Sequence, residues 1–116
     1  MPKTRVDFTV VRDIGLTFPG VQASAAGSPA LKLHGKLMAC KAIHKSAEPG
    51  SLMVRVDFDD RAELLDADPD VYYLTDHYEP YNAVLVRLSR IDRDVLRDLL
   101  GMAHKFVMRS VQKKKS

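Results

Sequence analysis

A chain of 116 residues, 46% apolar and 28% charged, is the size of one ordinary domain with enough apolar surface for a core, which excludes a disordered chain. Cys40 is the only cysteine, so an intrachain disulfide and a multi-cysteine zinc site are both excluded, and no apolar run approaches the ~20 residues of a membrane span. The net charge of +3 falls close to zero without Lys113, Lys114 and Lys115, a balance that permits nucleic-acid contact without requiring it.

The first residues lack the charged, apolar, small-residue order of a secretory leader, so a cytoplasmic protein is expected. Residues 4–15 read as a helix with Thr4 as its cap and Asp7 completing a capping box. Phe8, Val11 and Ile14 form its apolar face, and the turn Phe18-Pro19-Gly20 follows. Residues 21–25 are a short strand candidate. Residues 30–34 alternate, with Leu31 and Leu33 against Lys32 and His34. A tight turn at His34-Gly35-Lys36 leads into a strand over 37–43. After a polar loop, residues 51–57 place Leu52, Val54 and Val56 on one face and Met53 and Arg55 on the other, the period of a half-buried antiparallel strand.

Residues 59–67 are a short helix capped by Asp59 or Asp60, with Leu64 and Leu65 inward, stopped at Asp68-Pro69. Residues 71–74 are a short strand. Residues 83–88 are the clearest strand, Val84, Val86 and Leu88 facing one way and Leu85 and Arg87 the other. Asp92 caps the last helix, Ile91 and Leu96 take staple positions, and an apolar stripe runs from Val95 through Leu96, Leu99, Leu100, Ala103 and Phe106 to Val107. Residues 113–116 are expected to be a frayed basic tail. Short connections and this element order give one α+β domain over 1–116. It is a two-layer sandwich, an antiparallel sheet with the N-terminal, middle and C-terminal helices mostly on one face.

These elements carry a family resemblance. The features are Phe18-Pro19-Gly20-Val21 closing the first helix, the hairpin Leu33-His34-Gly35-Lys36-Leu37, and Asp57-Phe58-Asp59 after its strand. Then come Tyr72-Tyr73-Leu74-Thr75-Asp76-His77-Tyr78 before Val84-Leu85-Val86-Arg87-Leu88, and the closing amphipathic helix. Taken in order, over residues 5–108, they resemble the MmcQ/YjbR family. That resemblance implies an α+β fold related to secretion-chaperone-like architectures and a DNA-binding label tied to a "double-wing" shape. Many members place a tryptophan shortly after the loop histidine; this chain has none, and Tyr78 or Tyr81 stands in that space.

Two constellations are candidates for function. Lys32, His34, Lys41, Arg55 and Arg87 fall on positions expected to alternate away from the core, and Lys36 sits at the hairpin tip. Together they form a candidate phosphate-contacting surface, whose structural counterpart is an ordinary solvated sheet face. Tyr73, His77, Tyr78 and Tyr81 form a candidate contact loop, tyrosines stacking at low entropic cost. Its structural counterpart is a loop that closes the sheet end, with Asp76 orienting His77. No nucleophile, glycine-rich phosphate loop or helical metal motif is present, so no enzyme activity, cofactor or metal is expected. Cys40 is expected on the face of Met38 and Ala42, as a buried thiol. DNA is the expected ligand of a non-catalytic binding protein. A chaperone-like protein contact, including a homodimer, and a small-molecule site at the loop are the alternatives.

Overall fold

The computed structural model describes residues 6–24 and 29–113. In chain order the elements are α1 (Phe8–Gly15), β1 (Val21–Ser24), β2 (Ala30–Leu33), β3 (Lys36–Lys41), β4 (Ser51–Arg55), α2 (Phe58–Ala67), β5 (Tyr72–Tyr73), β6 (Ala83–Arg87) and α3 (Arg93–Lys113). The strands make one six-stranded antiparallel sheet in the order β1-β2-β3-β4-β6-β5. The final strand in sequence, β6, inserts beside β4 and leaves the two-residue β5 at the edge. The α+β two-layer architecture read from the sequence is the architecture observed.

Alternation decides the layers. Leu52, Val54, Val56, Val84, Val86 and Leu88 point to one face, where Leu96, Leu99, Leu100, Ala103 and Val107 of α3 cover them, with Val11 and Ile14 of α1 completing the core. Leu64 and Leu65 bring α2 onto the same core from its margin. Val95, expected in the α3 stripe, is 42% exposed and lies outside it. Among the described residues no helix is long and apolar enough to cross a membrane.

The caps refine the boundaries. Asp7 caps α1 by accepting from the Val10 N–H at 3.2 Å; Thr4, expected in that role, lies outside the described residues. Asp57, not Asp59 or Asp60, caps α2, accepting from the Asp60 N–H at 2.7 Å, and the other two aspartates occupy the first turn. Asp92 accepts from Val95 N–H as expected, over the buried staple pair Ile91 and Leu96. Ala25 and residues 114–116 of the expected tail also lie outside the described residues.

One irregularity redistributes the basic residues. The β2–β3 hairpin turns on His34 and Gly35, both with positive φ (51° and 80°), as a two-residue primed turn requires. A β-bulge then follows: Lys32 pairs with Leu37 but Leu31 pairs with Ala39, so Met38 is the extra residue. The bulge inverts the parity of β3 beyond it. Lys41 pairs with Leu52 and Lys36 with Leu33, both partners being in the helix-covered core. Lys36 and Lys41 are therefore on the helix side of the sheet, and the expectation that Lys41 shares a face with Lys32, Arg55 and Arg87 is corrected. Cys40 pairs with Met53 on the opposite face from Met38, contrary to the alternation expected.

Candidate functional site

The sheet face away from the helices is not bare. Two loops, residues 42–50 and 74–82, close over its β4–β6–β5 half and build a second, smaller cluster: Met53, Ala83 and Leu85, with Leu37, Cys40, Ala42, Ala47, Tyr73 and Tyr78 around them. Burial in this cluster pushes the Cys40 thiol above its ordinary range, which favours the unreactive thiol form.

Polar contacts lock the loops together. The Tyr73 hydroxyl accepts from the Glu48 N–H at 2.7 Å and meets Ser51 Oγ at 2.6 Å. Arg87 stacks its guanidinium 4.4 Å over the Tyr73 ring and holds both Glu48 carboxylate oxygens, at 2.9 and 2.7 Å. Its Nη1 donates to the Pro69 and Asp70 carbonyls, both at 3.1 Å. The Arg87 bond holds the Glu48 carboxyl below the usual carboxylate range, and the same pairing raises Arg87. Arg87 is thus a clamp within the fold, with four of its five N–H donors committed to the chain itself.

The second loop is pinned from α2. Arg61, only 9% exposed, aims Nη1 at three carbonyls: Tyr81 at 2.8 Å, Glu79 at 3.0 Å and Ala83 at 3.4 Å. Its guanidinium also lies 4.7 Å over the Phe58 ring. Sequence reasoning passed over this residue. The available signal was its helical spacing to Leu64 and Leu65, which puts Arg61 on the inward side of α2.

Between the loops, the His44 and His77 rings stack in parallel, centroids 3.5 Å apart and planes within 5°. Tyr78 packs edge-on to both, and Tyr81 lies 6.2 Å from His77. His44 Nδ1 accepts from the Ser46 N–H at 3.1 Å, which leaves the ring proton on Nε2. Ser46 Oγ meets Thr75 Oγ1 at 2.9 Å, and the His44 N–H reaches the Tyr78 hydroxyl at 3.4 Å. Desolvation, then the neighbouring His77 and Lys45, holds the His44 imidazole below its ordinary range. The structural role expected of Asp76 passes to His44: stacking on that ring orients His77. The rings present parallel faces and not converging nitrogens, and among the described residues no group of three or more metal-ligating side chains gathers.

Beside this stack lies an open depression of about 400 Å³. Leu37, Met53 and Ala83 form apolar walls, His77, Tyr78, Pro80 and Tyr81 an aromatic rim, and Arg55 and Asn82 the polar groups. Arg55 donates from Nε to the Asn82 carbonyl at 3.2 Å and lies 5.3 Å over Phe106. Exposed Lys32 pairs with Leu37 across the hairpin, and Arg55 pairs with Ala83, so these four residues are on the face that carries the depression. Tyr81 is 56% exposed. Of the ten residues singled out from sequence, His77, Tyr78, Tyr81 and Arg55 meet here with Lys32 alongside. Tyr73 and Arg87 are used to brace the loops, His34 makes the hairpin turn, and Lys36 and Lys41 are on the other side.

A six-stranded antiparallel sheet with helices on one face and two clasped loops on the other defines an α+β protein with a recessed aromatic surface on its loop-covered side. The chain belongs to the YjbR family, whose model matches residues 16–106. The crystal structure of Deinococcus radiodurans protein DR2400, a DUF419 domain, is similar with a TM-score of 0.70 and 19% identity, covering 91% of this chain and 82% of that one, a likeness of fold. No curated protein matches the sequence.

Proposed function

We propose that this YjbR-family chain is a non-catalytic nucleic-acid-binding protein, DNA being the ligand expected first, and that its contact surface is the loop-covered face. One observation carries the reading. The depression sets aromatic rings and the Arg55 side chain on a single surface, with exposed Lys32 beside it on the neighbouring strand, while among the described residues no acidic side chain lines it. Aromatic faces with nearby cations are the elements that track a nucleic-acid strand. The phosphate contacts fall to Lys32 and Arg55 with the hairpin residue His34, since Arg87 is consumed by Glu48 and two carbonyls.

Anisotropy titration with labelled DNA at ~50 mM salt, where phosphate contacts are strongest, tests this. Binding that falls with added salt and weakens in Lys32→Glu supports it; no binding at that salt overturns it. One observation favours a second reading, a protein partner or a second copy. Ile43 is 73% exposed directly before His44, the most exposed large apolar side chain among the described residues. A dimer in light scattering that Ile43→Ser dissolves would support that reading.

A further inference from the structure

We infer that the depression beside Tyr81 is a base-stacking subsite, so that the ligand is single-stranded and not duplex nucleic acid. This rests on the nucleic-acid reading above and narrows it to one class of ligand.

The distribution of cations is the first argument. A duplex is held by many phosphate contacts spread along a face. Here the expected basic stripe is broken up. The bulge at Met38 sends Lys41 to the helix side, Lys36 pairs with Leu33 of the helix-covered core, and the Arg87 guanidinium is closed by Glu48, Pro69 and Asp70. What remains on the loop-covered face among the described residues is Lys32, Arg55 at a strand end and exposed Lys45 on the 42–50 loop, three separated cations that suit a few phosphates of one strand.

The aromatic groups are the second argument. Tyr73 and Tyr78 are packed into the small cluster and bonded to the 42–50 loop, whereas Tyr81 stands more than half exposed at the rim and lines the depression with His77. The exposed Tyr81 ring sits on a rigid support. Arg61 fixes the Tyr81 carbonyl from below at 2.8 Å, and the His44 stack fixes His77. A pre-positioned ring spends little ordering entropy on stacking with a ligand. The apolar walls of Leu37, Met53 and Ala83 suit the face of a base, with Arg55 and Asn82 at hand for its edge or its phosphate. In a duplex, bases are stacked on each other and their faces are out of reach of such a surface; an unpaired base is not.

The experiment compares a roughly ten-nucleotide oligothymidylate single strand with a duplex of similar length, a size within the range of small single-strand sites. Wild type, Tyr81→Ala and Tyr81→Phe are titrated by anisotropy at ~50 mM salt. Because the chain has no tryptophan, its emission comes from its four tyrosines, and the part that Tyr81→Phe removes from the quenching is the part due to Tyr81. The expected result is preference for the single strand with quenching of tyrosine emission. Tyr81→Ala should weaken binding about tenfold or more, while Tyr81→Phe keeps the affinity, since the ring face and not the hydroxyl makes the contact. Unchanged thermal midpoints separate this from unfolding, and quenching in the wild type stands as a readout should a variant fold poorly. Equal affinity for duplex and single strand, with Tyr81→Ala bound as wild type, overturns the stacking subsite and leaves phosphate binding in place. Binding of neither overturns both.

Discussion

Arg61→Met removes the guanidinium that ties α2 to the 79–83 segment while keeping an aliphatic stem of similar length. One Nη1 carries two protons, so its full-strength bonds are those to Tyr81 at 2.8 Å and Glu79 at 3.0 Å; the Ala83 carbonyl at 3.4 Å shares them. Hydrogen bonds from charged groups contribute about 1.5–3 kcal/mol each. The Glu79 and Tyr81 residues are exposed, so water recovers part of that loss, whereas the Ala83 carbonyl belongs to a buried residue. The net cost is about 2–3 kcal/mol, a drop of roughly 8–12 °C in midpoint for a domain of this size. Thermal and urea denaturation measure the global effect, and hydrogen exchange measures the local one. The turn amides of Tyr81 and Ala83, bonded to Tyr78 and Tyr81 carbonyls, should exchange faster first. A variant within about 0.5 kcal/mol of wild type would refute the claim that Arg61 holds the loop, since ordinary surface changes fall in that range. So would a global loss with no faster exchange at those amides.

Further outcomes follow from the same contacts. Leu100→Ala, at a fully buried position of α3, should cost about 2–5 kcal/mol in urea denaturation. Gly15→Ala should destabilise and not stabilise, despite the helix propensity of alanine, because the added methyl meets the Leu31 side chain at the core; a raised thermal midpoint would contradict the packing. Acid titration of stability should show the Glu48–Arg87 clamp. The Glu48 carboxyl is depressed in the folded state, so its contribution is present above the unfolded carboxylate range and is lost as pH falls through the folded value, and Glu48→Gln should remove that portion of the acid dependence. His44 is also depressed when folded, so proton uptake opposes the fold. Stability should fall as pH drops below about 6.5, the unfolded histidine value, and His44→Phe should flatten that segment of the curve.

The layers, the helix-facing core and the hairpin were legible because each rests on local periodicity. Leu52, Val54 and Val56 alternate, Leu96, Leu99, Leu100 and Ala103 recur at helical spacing, and His34-Gly35 carries the turn chemistry. The basic face was legible in part: Lys32, Arg55 and Arg87 lie on the face that alternation gives, and Lys41 does not. Alternation assumes unbroken pairing, and the extra residue Met38 reverses it for everything beyond, so one bulge moves Lys41 across the sheet. The contact loop was legible as a composition, through Tyr78, Tyr81 and His77, but not as a structure. Its partners Glu48, His44 and Arg61 come from other segments, and only their own local context was visible. Arg87 illustrates the limit most clearly. Its strand position predicted its face correctly, yet the carboxylate that occupies it lies 39 residues away.

The central question is whether the loop-covered face is where nucleic acid binds. Amide chemical-shift mapping during titration with a short single-stranded oligonucleotide reads this directly. Shifts concentrated at Lys32, Leu37, Arg55 and residues 77–83, with α3 unaffected, are the predicted pattern. Shifts concentrated on the exposed side of α3 around Lys105 and Arg109, or none at low salt, would contradict it.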